Sequence, residues 1–128
     1  MLNKARESNI YDKYFVEILE ENKSSVEVPQ QSYDCVVSLG CFCPHHLNRN
    51  HLQVIAELAK PGGLVILGFR EDDVTEDIKD GVKYLEEMKV WRRHDLFLCE
   101  DYQCFGKDCN NMLRGYFYAF VTKCGGEV

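Results

Sequence analysis

The chain has 128 residues, of which 28% are charged and 45% are apolar, and these proportions are ordinary for a soluble globular protein. Its net charge of −6 argues against binding to nucleic acid, because proteins that grip a phosphate backbone usually present a basic face. The sequence has no apolar run long enough to span a bilayer and no signal-peptide segment, so we expect one cytoplasmic domain over residues 1–128 with no membrane partner. The seven cysteines are then expected to be reduced thiols.

The first segments alternate between periodic and polar stretches. Met1 to Ser8 has helical spacing, and Tyr11 to Leu19 is aromatic and β-branched enough to predict a strand. The polar stretch from Glu20 to Ser32 predicts a loop. Cys35 to Leu39 then predicts a short buried strand that ends at Gly40.

A helix and a buried strand are predicted in the middle of the chain. Asn48 to Lys60 has apolar residues at helical spacing, and Pro61-Gly62-Gly63 predicts the end of that helix. Leu64 to Phe69 is almost continuously apolar, as in a strand that is covered on both faces.

A second helix and two strands complete the predicted order. Asp73 and Glu76 are three residues apart, as in a capping box with Asp at its first position. The apolar stripe of the helix follows at Ile78, Val82, Leu85 and Met88. Strands are predicted at Leu96 to Cys99 and at Tyr116 to Val121, and this order of elements indicates an α/β fold with a largely parallel sheet.

The stretch YDCVVSLGCFCPHH, from Tyr33 to His46, places two cysteines and two histidines just after the predicted strand. Zinc sites built from cysteine usually carry two C-x-x-C knuckles, and Cys41-x-Cys43 is not one of these. The adjacent His45 and His46 point in different directions from an extended backbone. We therefore expect no metal site, and we expect the cysteines to be small buried apolar side chains.

Three segments taken together resemble a known family. They are SYDCVVSLGCF at 32–42, a helix that ends in AELAKPGG at 56–63, and LVILGFRE at 64–71. In this order they resemble the central part of class I S-adenosylmethionine-dependent methyltransferases, and in particular the methyltransferase-like proteins of the Williams–Beuren region type. The opening ML…AR…YD and the closing RGYFYAFVTK are similar to that family as well, so the resemblance extends from Met1 to Lys123.

This resemblance implies a partial Rossmann-like fold with a mostly parallel sheet and an antiparallel C-terminal strand. It implies S-adenosylmethionine as the cofactor, with Gly40, Cys41 and Phe42 beside it at the carboxyl end of a strand. His46 would be a base or hydrogen-bond partner for the substrate, and Arg70 would hold an acidic substrate. The alternatives are a tight turn at Gly40 and core packing at Phe42. For His46 the alternative is an ordinary loop position, and for Arg70 it is an exposed charge at a strand end.

The sequence departs from the family at its front. Class I methyltransferases begin with a strand, a glycine-rich G-x-G-x-G loop and a helix that hold the methionine end of the cofactor, and an acidic residue then holds the ribose. The chain contains neither feature. We therefore expect a truncated methyltransferase-like domain that is inactive without the missing N-terminal portion. Glu17 is the nearest candidate for the acid that faces the adenine, although a surface position on a strand is the preferred interpretation.

The missing front also predicts an open sheet edge. In the family the first strand lies beside the segment that corresponds to Cys35–Leu39, and soluble proteins rarely tolerate an unpaired apolar edge. We predict that Tyr14 to Leu19 covers this edge, or that a protein partner or a second copy of the chain does. Two functions remain open: the substrate-side portion of a methyltransferase with an unknown small-molecule or protein acceptor, and a non-catalytic fragment or pseudoenzyme that binds a protein.

Other histidines and aromatic residues receive structural interpretations. His51 and His94 are predicted to be surface residues. Trp91 and the aromatic residues between Tyr116 and Phe120 are predicted to belong to the core, and one of the tyrosines is a candidate to cap the substrate cavity.

Overall fold

A computed structural model describes residues 2–42, 46–102 and 113–122. Helix α1 spans Leu2–Ser8, and strand β1 spans Tyr33–Leu39. A 3₁₀ turn at Arg49–His51 leads into helix α2 at Leu52–Ala56, and strand β2 follows at Ala59–Arg70. A second 3₁₀ turn, Glu71–Asp73, precedes helix α3 at Glu76–Glu87, and strands β3 and β4 span Trp91–Tyr102 and Leu113–Thr122. Within these ranges, no helix is long and apolar enough to cross a membrane.

The four strands form one open sheet in the order β1-β2-β4-β3. Strands β1 and β2 are parallel, whereas β4 runs antiparallel to both of its neighbours, β2 and β3. Three strands therefore point in one direction and the C-terminal strand points in the other. The α/β class is confirmed. Because β4 lies between β2 and β3, however, β1 and β2 are the one parallel pair of neighbours in this sheet, so its pairing is mixed rather than largely parallel.

The hydrophobic core lies on one face of the sheet. Side chains alternate between the two faces of a strand, and Val65, Leu67 and Phe69 of β2 are buried on the same face. They pack with buried residues of α2, α3, β3 and β4: Leu52, Ile55, Ala56, Ile78, Val82, Leu85, Trp91, Tyr118 and Phe120. Full burial of one large apolar side chain contributes about 1.5–3 kcal/mol, so this cluster is what attaches α2 and α3 to the sheet.

The aromatic residues of the core are arranged in a stack. Trp91 stacks on Phe120 with ring centroids 4.0 Å apart, and Phe120 lies parallel to Tyr118 at 5.6 Å. The indole N–H of Trp91 donates to the carbonyl of Val82 at 3.4 Å, which satisfies its polar group inside the core. The predicted core positions of these three aromatic residues are confirmed.

The helix predicted at Asn48 to Lys60 is shorter than expected, and the strand after it is longer. Helix α2 ends well before Pro61-Gly62-Gly63, which lies within β2. Tyr33 pairs with Ala59, but Cys35 pairs with Leu64, so the register between β1 and β2 shifts across this segment. Gly62 adopts a φ of +80°, a conformation that glycine reaches without strain. The Pro-Gly-Gly sequence therefore forms an irregularity in a strand rather than the end of a helix.

Helix α3 confirms the predicted stripe but not the predicted cap. Thr75 is the N-cap, and its side-chain oxygen accepts a hydrogen bond from the Ile78 N–H at 3.2 Å. Asp73 lies in the preceding 3₁₀ turn, so the prediction of a capping box that starts there is wrong. The buried residues of the stripe are Ile78, Val82 and Leu85. Met88, the fourth residue of the predicted stripe, follows the last helical residue and is exposed, so its predicted burial is wrong.

The predicted strand at Tyr11 to Leu19 is wrong. These residues form no strand, and Val16 and Ile18 are largely exposed. Aromatic and β-branched residues favour a strand only where neighbouring strands provide hydrogen bonds and a surface for packing. The segment therefore does not add a strand to β1, and the prediction that Tyr14 to Leu19 covers that edge is also wrong.

Strand β1 is left as an edge strand with apolar side chains on its outer face. Val37 and Leu39 are 54% and 56% exposed, while Val36 on the opposite face packs against the core. Cys35 and Cys41 are exposed thiols, so the expectation of buried cysteines is wrong at both positions. An unpaired edge that carries exposed apolar residues is a feature that soluble domains usually cover.

Candidate functional site

A cavity of about 410 Å³ lies at the carboxyl end of β1. We call it the β1 cavity, and the residues that line it are Glu17, Leu19, Gly40, Cys41, His46 and Leu47. The fold thus brings together three of the residues predicted from the sequence, namely Gly40, Cys41 and His46. In open α/β sheets ligands bind outside the carboxyl ends of the strands, which is where this cavity lies.

Gly40 forms the turn by which β1 leaves the sheet. Its φ of +69° lies in the left-handed region, and its N–H donates to the carbonyl of Gly68 at 3.0 Å. A Cβ atom added here would meet no atom within 4 Å. Backbone conformation, rather than lack of space, therefore requires glycine, and the space beside Gly40 is open to a ligand.

Cys41 continues this turn into the cavity wall. Its thiol is exposed and lies 3.6 Å from the carbonyl of Leu39, to which it donates a weak hydrogen bond. Its own carbonyl accepts a hydrogen bond from the Leu47 N–H at 3.2 Å, which fixes the two ends of the loop that carries His46.

His46 is exposed at the cavity, and none of the described residues forms a hydrogen bond with its ring. An imidazole that is not engaged by the protein can accept a proton from, or donate one to, a molecule that enters the cavity. Its position is compatible with the predicted role and equally with that of a loop histidine.

Phe42 and Arg70 lie outside the β1 cavity. Phe42 is 2% exposed, and its ring centroid is 5.3 Å from that of Phe69, so core packing accounts for it. It also borders a smaller hollow of about 180 Å³ together with Leu47 and Asp73. The guanidinium Nε of Arg70 donates to the largely buried carboxylate of Asp73 at 3.0 Å, so its charge is compensated within the fold.

Glu17 is a wall residue of the cavity rather than a strand residue. Its Oε1 accepts hydrogen bonds from the Ser25 hydroxyl at 3.0 Å, from the Val26 N–H at 3.1 Å and from the Glu27 N–H. These donors, above all the Glu27 N–H, hold the pKa of Glu17 below its ordinary value. The carboxylate therefore closes the loop between Glu17 and Glu27, and the expected position on a strand is wrong.

His51 is a supporting residue that sequence analysis misplaced on the surface. It is 6% exposed, and its Nδ1 accepts a hydrogen bond from the Asn48 N–H at 3.1 Å. Its Nε2 lies 3.2 Å from the carbonyl of Leu19, a geometry that fits the neutral tautomer with hydrogen on Nε2. The three-residue spacing of Asn48 and His51, which is that of a capping box, was the signal that could have placed it. His94, by contrast, is exposed as predicted.

Glu21 strengthens the same connection. Its carboxylate accepts hydrogen bonds from the side-chain amides of Asn48 at 2.6 Å and Asn50 at 3.3 Å. The Asn48 amide, followed by that of Asn50, lowers the pKa of Glu21 from its ordinary value. Together with His51, this carboxylate fastens residues 19–22 to the turn before α2 and so positions the wall that carries Leu19.

Within the described ranges, no group of three or more His, Cys, Asp or Glu side chains is placed to hold a metal ion. Two residues of the motif, Cys43 and His45, lie outside the described residues, and so do Cys104, Cys109 and Cys124. The geometry of the β1 cavity therefore rests on Gly40 and on the residues that surround it.

Replacement of Gly40 by alanine is expected to lower the free energy of unfolding by about 1–2 kcal/mol, because a residue with a Cβ is strained at positive φ. Gly40→Asn is the matched variant, since asparagine tolerates the left-handed region better, and it should lose less. Urea denaturation followed by circular dichroism measures both. Equal losses, or no loss in either variant, would contradict the left-handed turn.

The loop held by Glu17 is expected to open in acid. Because the folded-state pKa of Glu17 lies below the ordinary value of 4.5, its ionised form stabilises the loop at neutral pH. This stabilisation should be lost as the pH falls below the ordinary value and through the lowered one. The amide proton shifts of Val26 and Glu27, followed by NMR during an acid titration, report the change.

Two variants test the assignment of this transition. Glu17→Gln should remove the pH dependence of both amide shifts, because the amide side chain does not titrate. Glu20→Gln is the control, since Glu20 forms an exposed ion pair with Lys23 outside this hydrogen-bond set, and it should leave the transition intact. A transition that survives in Glu17→Gln would show that another group controls the loop.

Comparison with models of protein families finds none that matches the chain, and a search of curated proteins likewise finds no match.

Proposed function

We propose that this chain is the substrate-side portion of an S-adenosylmethionine-dependent methyltransferase. The observation that carries the proposal is the β1 cavity, in which Gly40, Cys41 and His46 meet at the carboxyl end of a parallel strand. These are three of the residues to which the sequence resemblance assigns contacts with cofactor and substrate. Their place on one cavity at the end of β1 agrees with the contacts that the resemblance implies for them.

The directions of the strands also support the proposal. Three strands point one way, and the C-terminal strand runs against them, as the resemblance implies for a partial Rossmann-like methyltransferase fold. The open edge of β1, with Val37 and Leu39 exposed, agrees with the absence of a neighbouring strand that the resemblance places there.

The residues present fit part of the cofactor. The open backbone at Gly40 and the adjacent Cys41 offer a surface for it, but the glycine-rich loop and the ribose-binding acid are not among the residues of this chain. S-adenosylmethionine, when bound, supplies a methyl group that its sulfonium already activates, so the protein mainly orients the acceptor. His46 would accept the proton of the acceptor, while Phe42 and Arg70 support the surrounding fold instead of contacting ligand.

Titration with S-adenosylhomocysteine, followed by ¹⁵N NMR, tests this assignment. We expect a dissociation constant of about 1 mM or weaker, because most contacts of a cofactor site are missing. The shift changes should centre on the amides of Gly40 and Cys41, and Gly81 in α3 should serve as an unaffected reference. Shift changes elsewhere, or none at saturating ligand, would contradict the proposed site. Micromolar affinity would instead show that the chain binds cofactor without a front portion.

A second candidate function is protein binding through β1. Its edge is unpaired within the sheet, and the exposed Val37 and Leu39 lie on one face of the same strand. Strand addition to such an edge uses main-chain hydrogen bonds for affinity and alternate side chains for specificity. A non-catalytic fragment would act in this way, and the simplest partner to examine is a second copy of the chain.

Sedimentation velocity of the chain at increasing protein concentration measures its self-association and so tests this second function. The chain is expected to associate at tens of micromolar, roughly the range of weak strand-addition contacts, and Val37→Lys should shift it toward monomer because edge lysines oppose pairing. Met88→Lys, which changes an exposed apolar residue at the end of α3, is the control and should have no effect. A monomer at every concentration, or an equal effect of both variants, would exclude self-association at β1.

A further inference from the structure

A second and larger cavity lies between α3 and the strands β3 and β4. We call it the α3 cavity; its volume is about 850 Å³, and the residues that define it here are Val74, Val82, Lys83, Arg93, Leu96 and Tyr118. None of the residues that line it also lines the β1 cavity. Its volume is within the range of small-molecule sites, which is roughly 300–1,000 Å³.

The floor of the α3 cavity carries a hydroxyl that has no partner among the residues the structure describes. Tyr118 is 5% exposed, and its hydroxyl forms no hydrogen bond with any described residue. Among the described residues, the side-chain oxygen that is fully buried and lacks a partner is Ser38 Oγ. The Tyr118 hydroxyl also lacks a partner, so it is not fully buried, and it reaches the cavity that Tyr118 lines. Buried tyrosine hydroxyls usually find a partner, and here a bound molecule can supply it.

The same hydroxyl is a donor at neutral pH. Burial raises the pKa of Tyr118, and the nearby Arg93 opposes this shift only in part. The phenol therefore stays protonated and can donate a hydrogen bond to an acceptor in the cavity. The Arg93 guanidinium lies 5.3 Å from the centre of the Tyr118 ring, which fixes the orientation of that ring.

Within the described part of the chain, the rim of the cavity adds one positive charge without an ion-pair partner. Arg93 is paired with Glu86 at 2.9 Å, and Lys79 is paired with Glu76 at 3.4 Å. Lys83 also lines the cavity, and it has no ion-pair partner among the described residues. In a chain of net charge −6, this lysine marks a local site for an anion.

The remaining wall is apolar. Leu96 pairs with Tyr118 across β3 and β4 and so lies on the core face of the sheet, yet it is 40% exposed. Val74 and Val82 face the same space. A ligand that covers Leu96 must therefore have an apolar body in addition to its charge.

We propose that the α3 cavity binds a small organic carboxylate with an apolar body. The carboxylate accepts a hydrogen bond from Tyr118 and faces Lys83, and the body lies on Leu96. A singly charged group fits better than a doubly charged phosphate, since the carboxylates of Glu71 and Glu86 also line the cavity. This site goes beyond the proposed methyl transfer and does not depend on it.

Isothermal titration calorimetry of the full chain with three probes of one shape tests the proposal. The probes are 2-naphthoate, the neutral 2-naphthamide and the cationic 2-naphthylmethylamine. We expect 2-naphthoate to bind about tenfold more tightly than the amide, the size of effect that one charge-assisted hydrogen bond supplies, and the amine to bind weakest. Equal affinity for the three probes would overturn the proposal.

Matched variants locate the site. Tyr118→Phe keeps the stacked ring and should weaken the binding of 2-naphthoate about tenfold. Lys83 is exposed, so Lys83→Gln should weaken this binding only about threefold. Lys23→Gln removes a lysine that does not line the cavity, and it should have no effect. Circular dichroism verifies that each variant is folded. If Val37→Ser weakens the probe while Tyr118→Phe does not, the probe binds the open face of β1 and the proposal is wrong.

Discussion

The rest of the structure depends on the burial of one row of side chains on β2. Val65, Leu67 and Phe69 face α2 and α3, and β2 also pairs on one side with β1 and on the other with β4. This sheet carries apolar side chains on both faces, including the exposed Val37 and Leu39, but α2 and α3 both pack on the same face. The asymmetry of the molecule follows from this: a dense core on one face, and an exposed edge and outer face along β1.

This asymmetry explains which predictions from the sequence succeeded. The stripe of α3 has apolar residues that face the core, so packing enforces its periodicity, and it was predicted. The strand at Cys35–Leu39 was predicted as well, but its predicted burial is wrong, because Val37 and Leu39 are exposed. Tyr11–Leu19 has the composition of a strand but no neighbour to pair with, and composition cannot reveal a missing neighbour. The prediction that Pro-Gly-Gly ends a helix is wrong for a related reason. The same residues can end a helix or distort a strand, and the neighbouring strand decides which of the two occurs.

The residues of the candidate site likewise fall into those that the sequence predicted and those that it did not. The turn at Gly40 was predictable because a glycine directly after an apolar strand indicates a turn. The position of Cys41 beside the cavity was predictable because ligands bind at the carboxyl ends of strands in open α/β sheets. Glu17 and His51 were misplaced, since each makes its defining contacts through hydrogen bonds with a polar loop that has no periodicity. The α3 cavity could not be predicted at all. It depends on Tyr118 and Lys83 meeting across a helix and a sheet, a tertiary relation that their spacing along the chain does not encode.

The way in which the segment from Glu17 to Glu21 is attached sets the free energy at which it can detach from the rest of the domain. This segment is held by polar contacts to the turn before α2, such as those of His51 and Glu21, and it contributes little to the buried cluster. It therefore qualifies as a unit of local unfolding, which can open at a free energy well below that of the whole domain. One wall of the β1 cavity belongs to this unit. Cavity integrity and global stability are accordingly separate quantities in this protein, and a substitution can abolish the first while leaving the melting temperature unchanged.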